Sequence, residues 1–261
     1  MKETFATKPT FLNHDTPFVT SMILEKNKEK LLYYMDRAIK NGSDALGLQF
    51  CYFDKELHTE KDIKEILSAA QGLPTYVTYY RGHENEGKSE EEISEGILKL
   101  AKCGATLCDV VGDLYQCGAP DQMATDEDAI KKQMDLIDRI HEVGAEVLVS
   151  SHIHQFTRAE RVLEIAFEQK RRGADVCKIV SGATGPEEEV ENLRITALLK
   201  KELGIPFLFL ASGDCNLLRR VGPMLGCSMW LCVDERNENS APLQPDLSQI
   251  NEIKNNFTYF N

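Results

Sequence analysis

The sequence contains no apolar run that approaches the roughly 20 residues needed for a membrane-spanning helix. Its first residues, Met1-Lys2-Glu3-Thr4, lack the apolar core of a secretion signal. Basic residues are also scarce, 30 against 42 acidic ones, which gives a formal net charge of −12. This negative charge argues against non-specific binding to nucleic acid or to anionic membranes. We therefore expect a cytoplasmic protein with neither kind of partner.

Cysteine pairs of the CxxC type are absent, although the chain has eight cysteines. The cysteines are scattered and several lie inside apolar runs, which is typical of reduced, buried thiols. No Gly-rich phosphate-binding turn follows the first predicted strand, and this disfavours an open sheet that binds dinucleotides. The chain also lacks a linker and any repeat of about 20–50 residues. Residues 1–261 are therefore expected to form one domain.

What the sequence does contain is a regular alternation of short apolar runs and amphipathic helical patterns. Eight such strand–helix units follow one another, and 42% hydrophobic residues over 261 positions are enough for a full core. Alternating units produce a parallel sheet, and eight of them predict an α/β fold of the closed (β/α)₈, or TIM barrel, type. The polar, mildly β-prone residues 1–14 are expected to form a short N-terminal β-hairpin before the barrel.

The pattern also gives approximate bounds for each element. The predicted strands are residues 17–24, 45–50, 74–80, 105–111, 146–151, 174–180, 205–210 and 227–233. The predicted helices are residues 26–40, 59–71, 89–104, 126–143, 158–172, 186–203, 216–225 and 245–255. Thr59 and Ser89 stand where a helix N-cap is expected.

Two of these strands carry a side chain that indicates chemistry. Lys178 is centred in the sixth apolar run, where burial of an ammonium group is costly and lowers its pKa. A neutral lysine is a nucleophile towards ketones. His152 ends the fifth run, and because successive parallel strands are usually neighbours, we expect it beside Lys178 as a proton carrier. The ordinary alternative is a lysine whose head group reaches solvent.

His152 also forms a His-x-His pair with His154. On an extended strand both side chains would face the same side, as in metal-dependent barrel hydrolases, where zinc needs at least a third ligand. In those hydrolases the pair lies on the first strand, whereas here it lies on the fifth. The remaining histidines, at positions 14, 58, 83 and 141, all precede the pair. We therefore expect neither a metal nor another cofactor, with metal-dependent hydrolysis by His152 and His154 as an alternative.

The residues around these strands resemble those of type I 3-dehydroquinate dehydratases. The similarity rests on Ser151-His152, Phe156-Thr157, the run from Gly173 to Ile179, and Ser240-Ala241-Pro242-Leu243-Gln244, which is close to that family's usual Ser-Ala-Pro-Gly-Gln loop. Arg219, with Gly222 and Gly226 at matching distances, resembles the arginine with which the family binds a carboxylate.

The resemblance implies a Schiff-base lyase that needs no cofactor, a cytoplasmic homodimer of the shikimate pathway to aromatic amino acids. Such an enzyme removes water from 3-dehydroquinate to give 3-dehydroshikimate. Lys178 would form an imine with the C3 ketone of the substrate. His152 would abstract the adjacent C2 proton and later deliver one to the departing C1 hydroxyl. Arg219, Ser240 and Gln244 would bind the substrate carboxylate.

The resemblance extends to the loop after the third strand. In the family an arginine that contacts substrate hydroxyls is followed, after three residues, by a Glu-Gly pair whose glutamate orients the histidine. Arg81 and Glu86 match this pattern with one residue more between them, and Glu86 keeps the following glycine. Glu84 competes with Glu86 for the orienting role. In the alternative interpretation, both glutamates belong to a solvated acidic loop.

Several positions depart from the family. Its Glu-x-Arg pair on the second strand is matched here by Gly47 and Gln49, which leaves Gln49 as the binding candidate of that strand. The Asp-x-Glu of the fourth strand is matched by Asp109-Val110-Val111, and the aspartate after the histidine by Ile153. The reaction is therefore better supported than the substrate. We expect weak recognition of 3-dehydroquinate on its C4/C5 hydroxyl side, and comparatively good acceptance of a compound that lacks those hydroxyls.

One further function remains open at this point. A non-catalytic barrel that binds a small carboxylate, as a sensor or partner module, would keep the predicted carboxylate-binding residues. Such a module would need neither Lys178 nor His152, so the presence of both favours an enzyme.

Overall fold

The structure is a computed structural model that describes residues 8–12, 14–214 and 216–256. Within these ranges, eight strands alternate with eight α-helices. The strands are β1 (Phe18–Ile23), β2 (Ala45–Gln49), β3 (Thr75–Thr78), β4 (Leu107–Val111), β5 (Glu146–His152), β6 (Val176–Ala183), β7 (Phe207–Gly213) and β8 (Met229–Cys232). The helices are α1 (Lys28–Lys40), α2 (Glu60–Ser68), α3 (Glu90–Lys102), α4 (Glu127–Glu142), α5 (Ala159–Arg171), α6 (Pro186–Glu202), α7 (Leu217–Val221) and α8 (Leu247–Asn256).

The strands are parallel and follow the order β7-β6-β5-β4-β3-β2-β1-β8 around the sheet. Ser228, just before β8, links the two ends of this order. Its backbone N–H donates to the carbonyl oxygen of Phe207 at the start of β7 at 2.8 Å, and its hydroxyl donates to the same oxygen at 3.1 Å. The eight strands thus form a nearly closed barrel, which confirms the predicted (β/α)₈ fold.

The eight predicted barrel strands and the eight predicted helices are all present, with ends shifted by a few residues. Thr59 caps α2 by accepting a hydrogen bond from the backbone N–H of Asp62, and Ser89 caps α3 in a reciprocal capping box with Glu92. The seventh helix differs most from its prediction. It ends as an α-helix at Val221 and continues as a 3₁₀ turn over Gly222–Leu225, where Pro223 has no N–H to donate.

The predicted N-terminal hairpin falls only partly on described residues. Residues 1–7 and 13 lie outside them, while residues 8–12 and 14 contain no strand. This segment instead binds the start of β5. The backbone N–H of Phe11 donates to the Glu146 carboxylate at 2.9 Å, and the Thr10 hydroxyl donates to the same group. The described part of the segment therefore lies at the amino end of the barrel as irregular chain.

The helices bury one face against the outside of the barrel. In α1, the buried residues Leu31, Met35 and Ala38 are spaced by three and four positions, as an amphipathic helix requires. The strands are covered on both faces, and β1, β4 and β6 are buried at every position. No helix in the described part of the chain is both long and apolar enough to cross a membrane.

The register of β5 and β6 places the two predicted reactive residues near each other. Ser150 on β5 pairs with Lys178 on β6. Because side chains alternate along a strand, His152 lies on the same face as Ser150, one step nearer the carboxyl end. Barrel enzymes build their active sites at this end of the strands.

Candidate active site

Lys178 points into the barrel and is only 5% exposed. Its Nζ donates hydrogen bonds to the hydroxyl oxygens of Tyr76 at 2.8 Å and Tyr80 at 3.1 Å, and to Oδ2 of Asp109 at 3.2 Å. The side chain therefore does not reach solvent, and its hydrogen-bond partners come from β3, from the residues just after β3, and from β4.

Asp109 is the buried counter-charge of this lysine. Its Oδ2 also accepts hydrogen bonds from the Tyr76 and Tyr80 hydroxyls, and its Oδ1 accepts one from Ser150 Oγ at 2.5 Å. Each tyrosine has a single hydroxyl hydrogen and gives it to Asp109, so each tyrosine oxygen must accept from Nζ. Nζ thus donates three hydrogen bonds, which only the ammonium form of Lys178 does.

Burial and charge act in opposite directions on this pair. Burial lowers the pKa of Lys178, against the raising effect of Asp109. For Asp109, burial alone would raise the pKa, but the charge of Lys178 and the hydrogen bond from Ser150 help to hold it below the usual range. The site therefore contains an ionised carboxylate beside a lysine that loses its proton more easily than a surface lysine does.

His152 is held by the side chain of Gln122. Gln122 Oε1 lies 2.9 Å from Nδ1 of the imidazole and accepts the backbone N–H of His152 at 2.7 Å. Because a carboxamide oxygen only accepts, Nδ1 carries the hydrogen and Nε2 is left with its lone pair. Burial, and then the charge of Lys178, lower the pKa of His152 to about 3. The imidazole is therefore neutral near pH 7 and able to accept a proton at Nε2.

The loop that carries Gln122 is fixed to the end of β5. The Ser151 hydroxyl donates to the carbonyl oxygen of Asp121, and the backbone N–H of Gly112 donates to the carbonyl oxygen of Ser150 at 2.7 Å. A Cβ atom at position 112 would lie 2.7 Å from the carbonyl oxygen of Gln122 and 3.1 Å from that of Ser150. Glycine at 112 thus allows the loop to approach the histidine strand closely.

Arg81 does not face this cluster. Its Nε donates to Glu90 at 2.7 Å and its Nη1 to Asp113 at 2.8 Å, so its guanidinium pairs with carboxylates at the start of α3 and in the loop after β4. Period-two alternation explains the result, since Tyr76 and Tyr80 share the inward face and Arg81 follows Tyr80 onto the other face. The expected contact of Arg81 with substrate hydroxyls has no support in this geometry.

The two glutamates of the same loop also lie away from His152. Glu86 is exposed, and Glu84 forms an ion pair with the exposed Lys26 at 3.7 Å. The nitrogen that Glu86 or Glu84 was expected to orient is instead bonded by Gln122. The loop has one residue more between Arg81 and Glu86 than the family pattern, and neither of its glutamates contacts His152 in the structure.

The residues expected to bind a carboxylate come from two segments. Arg219 lies on α7, where its Nε donates to the carbonyl oxygen of Ala211 at 2.8 Å, and its charge contributes to lowering the pKa values of His152 and Lys178. Arg219 therefore contributes positive potential to the site.

Ser240 and Gln244 lie in the loop between β8 and α8. Ser240 Oγ donates to Asn237 Oδ1 at 3.1 Å, and Asn237 in turn donates to the carbonyl oxygen of Leu24 at the end of β1 at 3.0 Å. Gln244 is buried, and its carbonyl oxygen accepts a hydrogen bond from Arg236. The loop is thus fastened to the carboxyl end of β1.

The second strand has no side chain at Gly47, and its neighbours fill the space. A Cβ atom there would overlap the thioether of Met22, at 2.8 Å from its Cε, and would touch the ring of Tyr76 at 3.5 Å. Gln49 ends β2 half-buried, opposite Thr78 in register. An apolar methionine and a tyrosine therefore occupy the place where the family carries a carboxylate.

His154 differs from its expected position. Its φ of 59° takes the chain out of the extended conformation after β5, and its Nδ1 lies 3.3 Å from Ser212 Oγ. The rings of His152 and His154 are stacked with centroids 6.0 Å apart. Within residues 8–12, 14–214 and 216–256, no group of three or more His, Cys, Asp or Glu side chains is arranged to hold a metal ion. The metal alternative therefore has no support in the described geometry.

Sequence reasoning assigned no role in this site to Asp109, Tyr76, Tyr80 or Gln122. Tyr76 and Tyr80 share an inward face that period-two spacing on β3 could have indicated. Gln122 lies in an irregular loop 30 residues before the histidine it binds, and no local pattern in the sequence points to it.

A comparison with protein families gives one decisive result. The sequence model described as type I 3-dehydroquinase matches residues 19–258, which is most of the chain. The chain belongs to the type I 3-dehydroquinase family. Members of this family are dehydratases that act on their substrate through a lysine Schiff base.

Individual members of the family are similar over nearly the whole chain. A 3-dehydroquinate dehydratase of Geobacillus kaustophilus is 22% identical over 245 residues, which cover 91% of this chain and 89% of the relative. A crystal structure of 3-dehydroquinate dehydratase from the same organism superposes with a TM-score of 0.77 at 18% identity, covering 94% of both chains. The Clostridium difficile type I enzyme, solved with covalently modified comenic acid, gives the same TM-score and identity over 94% of this chain and 93% of its own. The chain is thus a divergent member.

Proposed function

We propose that this protein removes water from 3-dehydroquinate, with Lys178 as the imine-forming nucleophile and His152 as the proton carrier. The observation that carries the proposal is the buried Lys178 ammonium, bonded to Asp109 and two tyrosines on the barrel face that His152 shares. Family membership supports the reaction, and a buried lysine beside a neutral imidazole is the pair of groups that this chemistry requires.

Lys178 begins the reaction by giving one proton to Asp109, whose Oδ2 lies 3.2 Å from Nζ. The Nζ lone pair then attacks the ketone carbon to form a carbinolamine. The hydroxyl of the carbinolamine takes the proton back from Asp109 and leaves as water, which gives the iminium and restores the Asp109 carboxylate. The iminium withdraws electrons from the adjacent carbon, whose proton passes to Nε2 of His152. The electron pair of the broken C–H bond forms the C=C bond as the hydroxyl departs with a proton from His152. Hydrolysis of the product imine returns Lys178.

Asp109 supplies the charge that stabilises the iminium. It is ionised, it lies 3.2 Å from Nζ, and Ser150 and both tyrosines hold it in place. Because it is fixed before the reaction, it needs no reorganisation when the positive charge moves from an ammonium to an iminium.

Arg219 is the proposed partner of the substrate carboxylate, with Ser240 and Gln244 supporting it from the loop after β8. A guanidinium is suited to this role because its planar fork binds a carboxylate through two parallel hydrogen bonds. The positive charge of Arg219 already acts on His152 and Lys178, so an anionic substrate would relieve part of that effect.

The assembly and setting of the protein are proposed from the family resemblance. We infer a homodimer of single-domain chains that works in the cytoplasm in the shikimate pathway. The seven described cysteines are all free thiols, and five are buried, which is consistent with a reducing compartment. Light scattering of the purified protein tests the dimer.

Incubation with 3-dehydroquinate and borohydride tests the reaction itself. Reduction of the imine leaves a stable secondary amine, so intact mass is expected to increase by one reduced ligand per chain. The conjugated product is followed separately by its ultraviolet absorbance. A barrel that only binds carboxylates would give neither the mass increase nor the absorbance.

We expect Asp109→Asn to shift the pH dependence of imine formation to lower pH. Asp109 raises the pKa of Lys178 against the effect of burial, so its removal lowers that pKa further. Imine formation needs the neutral amine, and the fraction of neutral amine then rises at a lower pH. Borohydride trapping with 3-dehydroquinate at a series of pH values measures the shift. The free energy of unfolding should also fall, by up to about 3–5 kcal/mol if the lysine keeps its charge.

Asp113→Asn is the matched control. Asp113 is also a buried carboxylate with a cationic partner, but that partner is Arg81 rather than Lys178. This variant should lose stability and keep the trapping profile of the parent. If the trapping profile of Asp109→Asn does not shift, the proposal that Asp109 raises the pKa of Lys178 is wrong.

We also expect the hydroxyl side of the substrate to be weakly recognised, because Met22 and Gly47 replace a polar surface there. A site that lacks one hydrogen-bond partner of a buried hydroxyl loses roughly 1–3 kcal/mol. To test this, kcat/KM is measured for 3-dehydroquinate and for an analogue without the C4/C5 hydroxyls, and the two values are compared. The parent should discriminate between them by less than about tenfold.

The triple variant Met22→Ala, Gly47→Glu, Gln49→Arg tests the structural reason. Met22 must be shortened because a side chain at position 47 would overlap it. In this variant, kcat/KM for 3-dehydroquinate should rise relative to kcat/KM for the analogue, whereas Met22→Ala alone should not change this ratio. A parent that already prefers 3-dehydroquinate strongly, with no gain in the triple variant, would show that other groups bind these hydroxyls.

A further inference from the structure

We propose that Gln122 is the positioning residue that sets the tautomer and orientation of His152, in place of an acidic partner. The inference rests on the proposed role of His152 as proton carrier. One oxygen of Gln122 accepts hydrogen bonds from both the ring Nδ1, at 2.9 Å, and the backbone N–H of the same histidine, at 2.7 Å. These two bonds fix the side chain relative to its own strand.

The backbone at Gln122 supports a specific function for this side chain. Asp121 and Gln122 have φ values of 53° and 52°, in the left-handed region that non-glycine residues rarely adopt. Two consecutive residues in this region cost free energy that the surrounding contacts must offset. Two contacts hold Asp121. The Ser151 hydroxyl donates a hydrogen bond to its backbone carbonyl oxygen, and its carboxylate forms an ion pair with Arg161 at 2.7 Å. The loop thus keeps a strained conformation that aims Gln122 at the histidine.

A neutral partner has a chemical consequence that an acidic partner would not have. A glutamate on Nδ1 would stabilise the imidazolium and raise the pKa of His152. Gln122 fixes the same hydrogen without adding negative charge, so the imidazole stays neutral in the resting site. The charged and titratable groups around His152 are Lys178 on β6, Asp109 on β4, Tyr80 after β3, His154 after β5 and Arg219 on α7. Among these described groups, only Asp109 adds negative charge, and it is paired with Lys178.

The first test is Gln122→Met, which keeps the approximate volume and removes the acceptor. Nitrogen NMR of the resting protein should report the Nδ1–H tautomer for His152 in the parent and its loss in the variant. With 3-dehydroquinate, kcat should fall by about 10- to 100-fold, as when partners that orient metal-binding histidines are removed. KM should change little, because Gln122 contacts the histidine rather than the substrate.

The second test is Gln122→Glu, which keeps both hydrogen bonds and adds a charge. The pKa of His152 should rise. Because the step from imine to product needs the neutral imidazole, the acid limb of its single-turnover rate should move up by about 1–3 pH units. A merely structural role for Gln122 would leave the limb where it is. Gln71→Met is the control, since Gln71 is also a glutamine with a positive φ, 54°, but it is exposed and its side chain donates to Asp36 rather than binding a histidine. It should leave the tautomer, kcat and the acid limb unchanged.

The NMR measurement separates this inference from the proposed reaction. Loss of the Nδ1–H tautomer in Gln122→Met supports the positioning role even if 3-dehydroquinate is not turned over. An unchanged tautomer, or an acid limb that Gln122→Glu does not move in an active enzyme, overturns it.

Discussion

Replacing Lys178 by methionine is expected to abolish both the borohydride-trapped adduct and turnover. Methionine fills a similar volume but has no amine, so no imine forms. Loss of a covalent nucleophile costs on the order of 10⁴- to 10⁶-fold in kcat. In the parent, peptide mapping should place the adduct on Lys178 alone, because among the lysines that the structure describes only Lys178 is buried. Intact mass and the absorbance of the product measure the two losses.

Lys170→Met is the control for this experiment. Lys170 lies on α5, where its Nζ donates to the carbonyl oxygen of Leu203 at 2.7 Å, outside the barrel. Its replacement should leave adduct and rate at the level of the parent. An adduct mapped to any other lysine, or an active Lys178→Met variant, would reject the Schiff-base mechanism at this position.

His152→Ala should separate imine formation from proton transfer. The variant keeps Lys178 and Asp109, so the substrate imine should still be trapped and seen by mass. Turnover should fall by about 10²- to 10⁴-fold, the usual contribution of a general acid–base group. We therefore expect the trapped adduct to be seen by intact mass while the ultraviolet absorbance of the product increases only slowly.

His154→Ala provides the comparison, since the second histidine stacks on the first but lies on the exposed side of it. Its replacement should leave most of the rate. Normal turnover in His152→Ala, with loss in His154→Ala, would move the proton-carrying role to His154.

The barrel and the Lys178–His152 pair were predictable because both depend on periodic patterns. Strand register follows from apolar runs, and alternation along β5 and β6 determines which side chains meet. The same rule, applied to β3, would have turned Arg81 outward, since Tyr76 and Tyr80 face the lysine. The family pattern compares residue types and spacing only, and it does not show which face of the strand Arg81 lies on.

The contact of Gln122 with His152 was not predictable from local sequence. It depends on how the loop after β4 folds over the end of β5, which requires Gly112 and two residues with positive φ. Such contacts join segments that are distant along the chain and carry no periodicity. Glu86 was a reasonable candidate by spacing alone, and the three-dimensional path of its loop decides against it.

The three hydrogen bonds of Lys178 have a consequence for the number of hydrogens in the site. An ammonium group carries three N–H bonds, and these match the three acceptors Tyr76, Tyr80 and Asp109. A protonated imine carries only one. Formation of the covalent intermediate therefore deprives two of the three acceptors of their donor. When the one remaining N–H stays with Asp109, the hydroxyl oxygens of Tyr76 and Tyr80 each lose the hydrogen bond from Nζ. Each oxygen can then accept a hydrogen bond from a hydroxyl group of the substrate, which is now attached beside it.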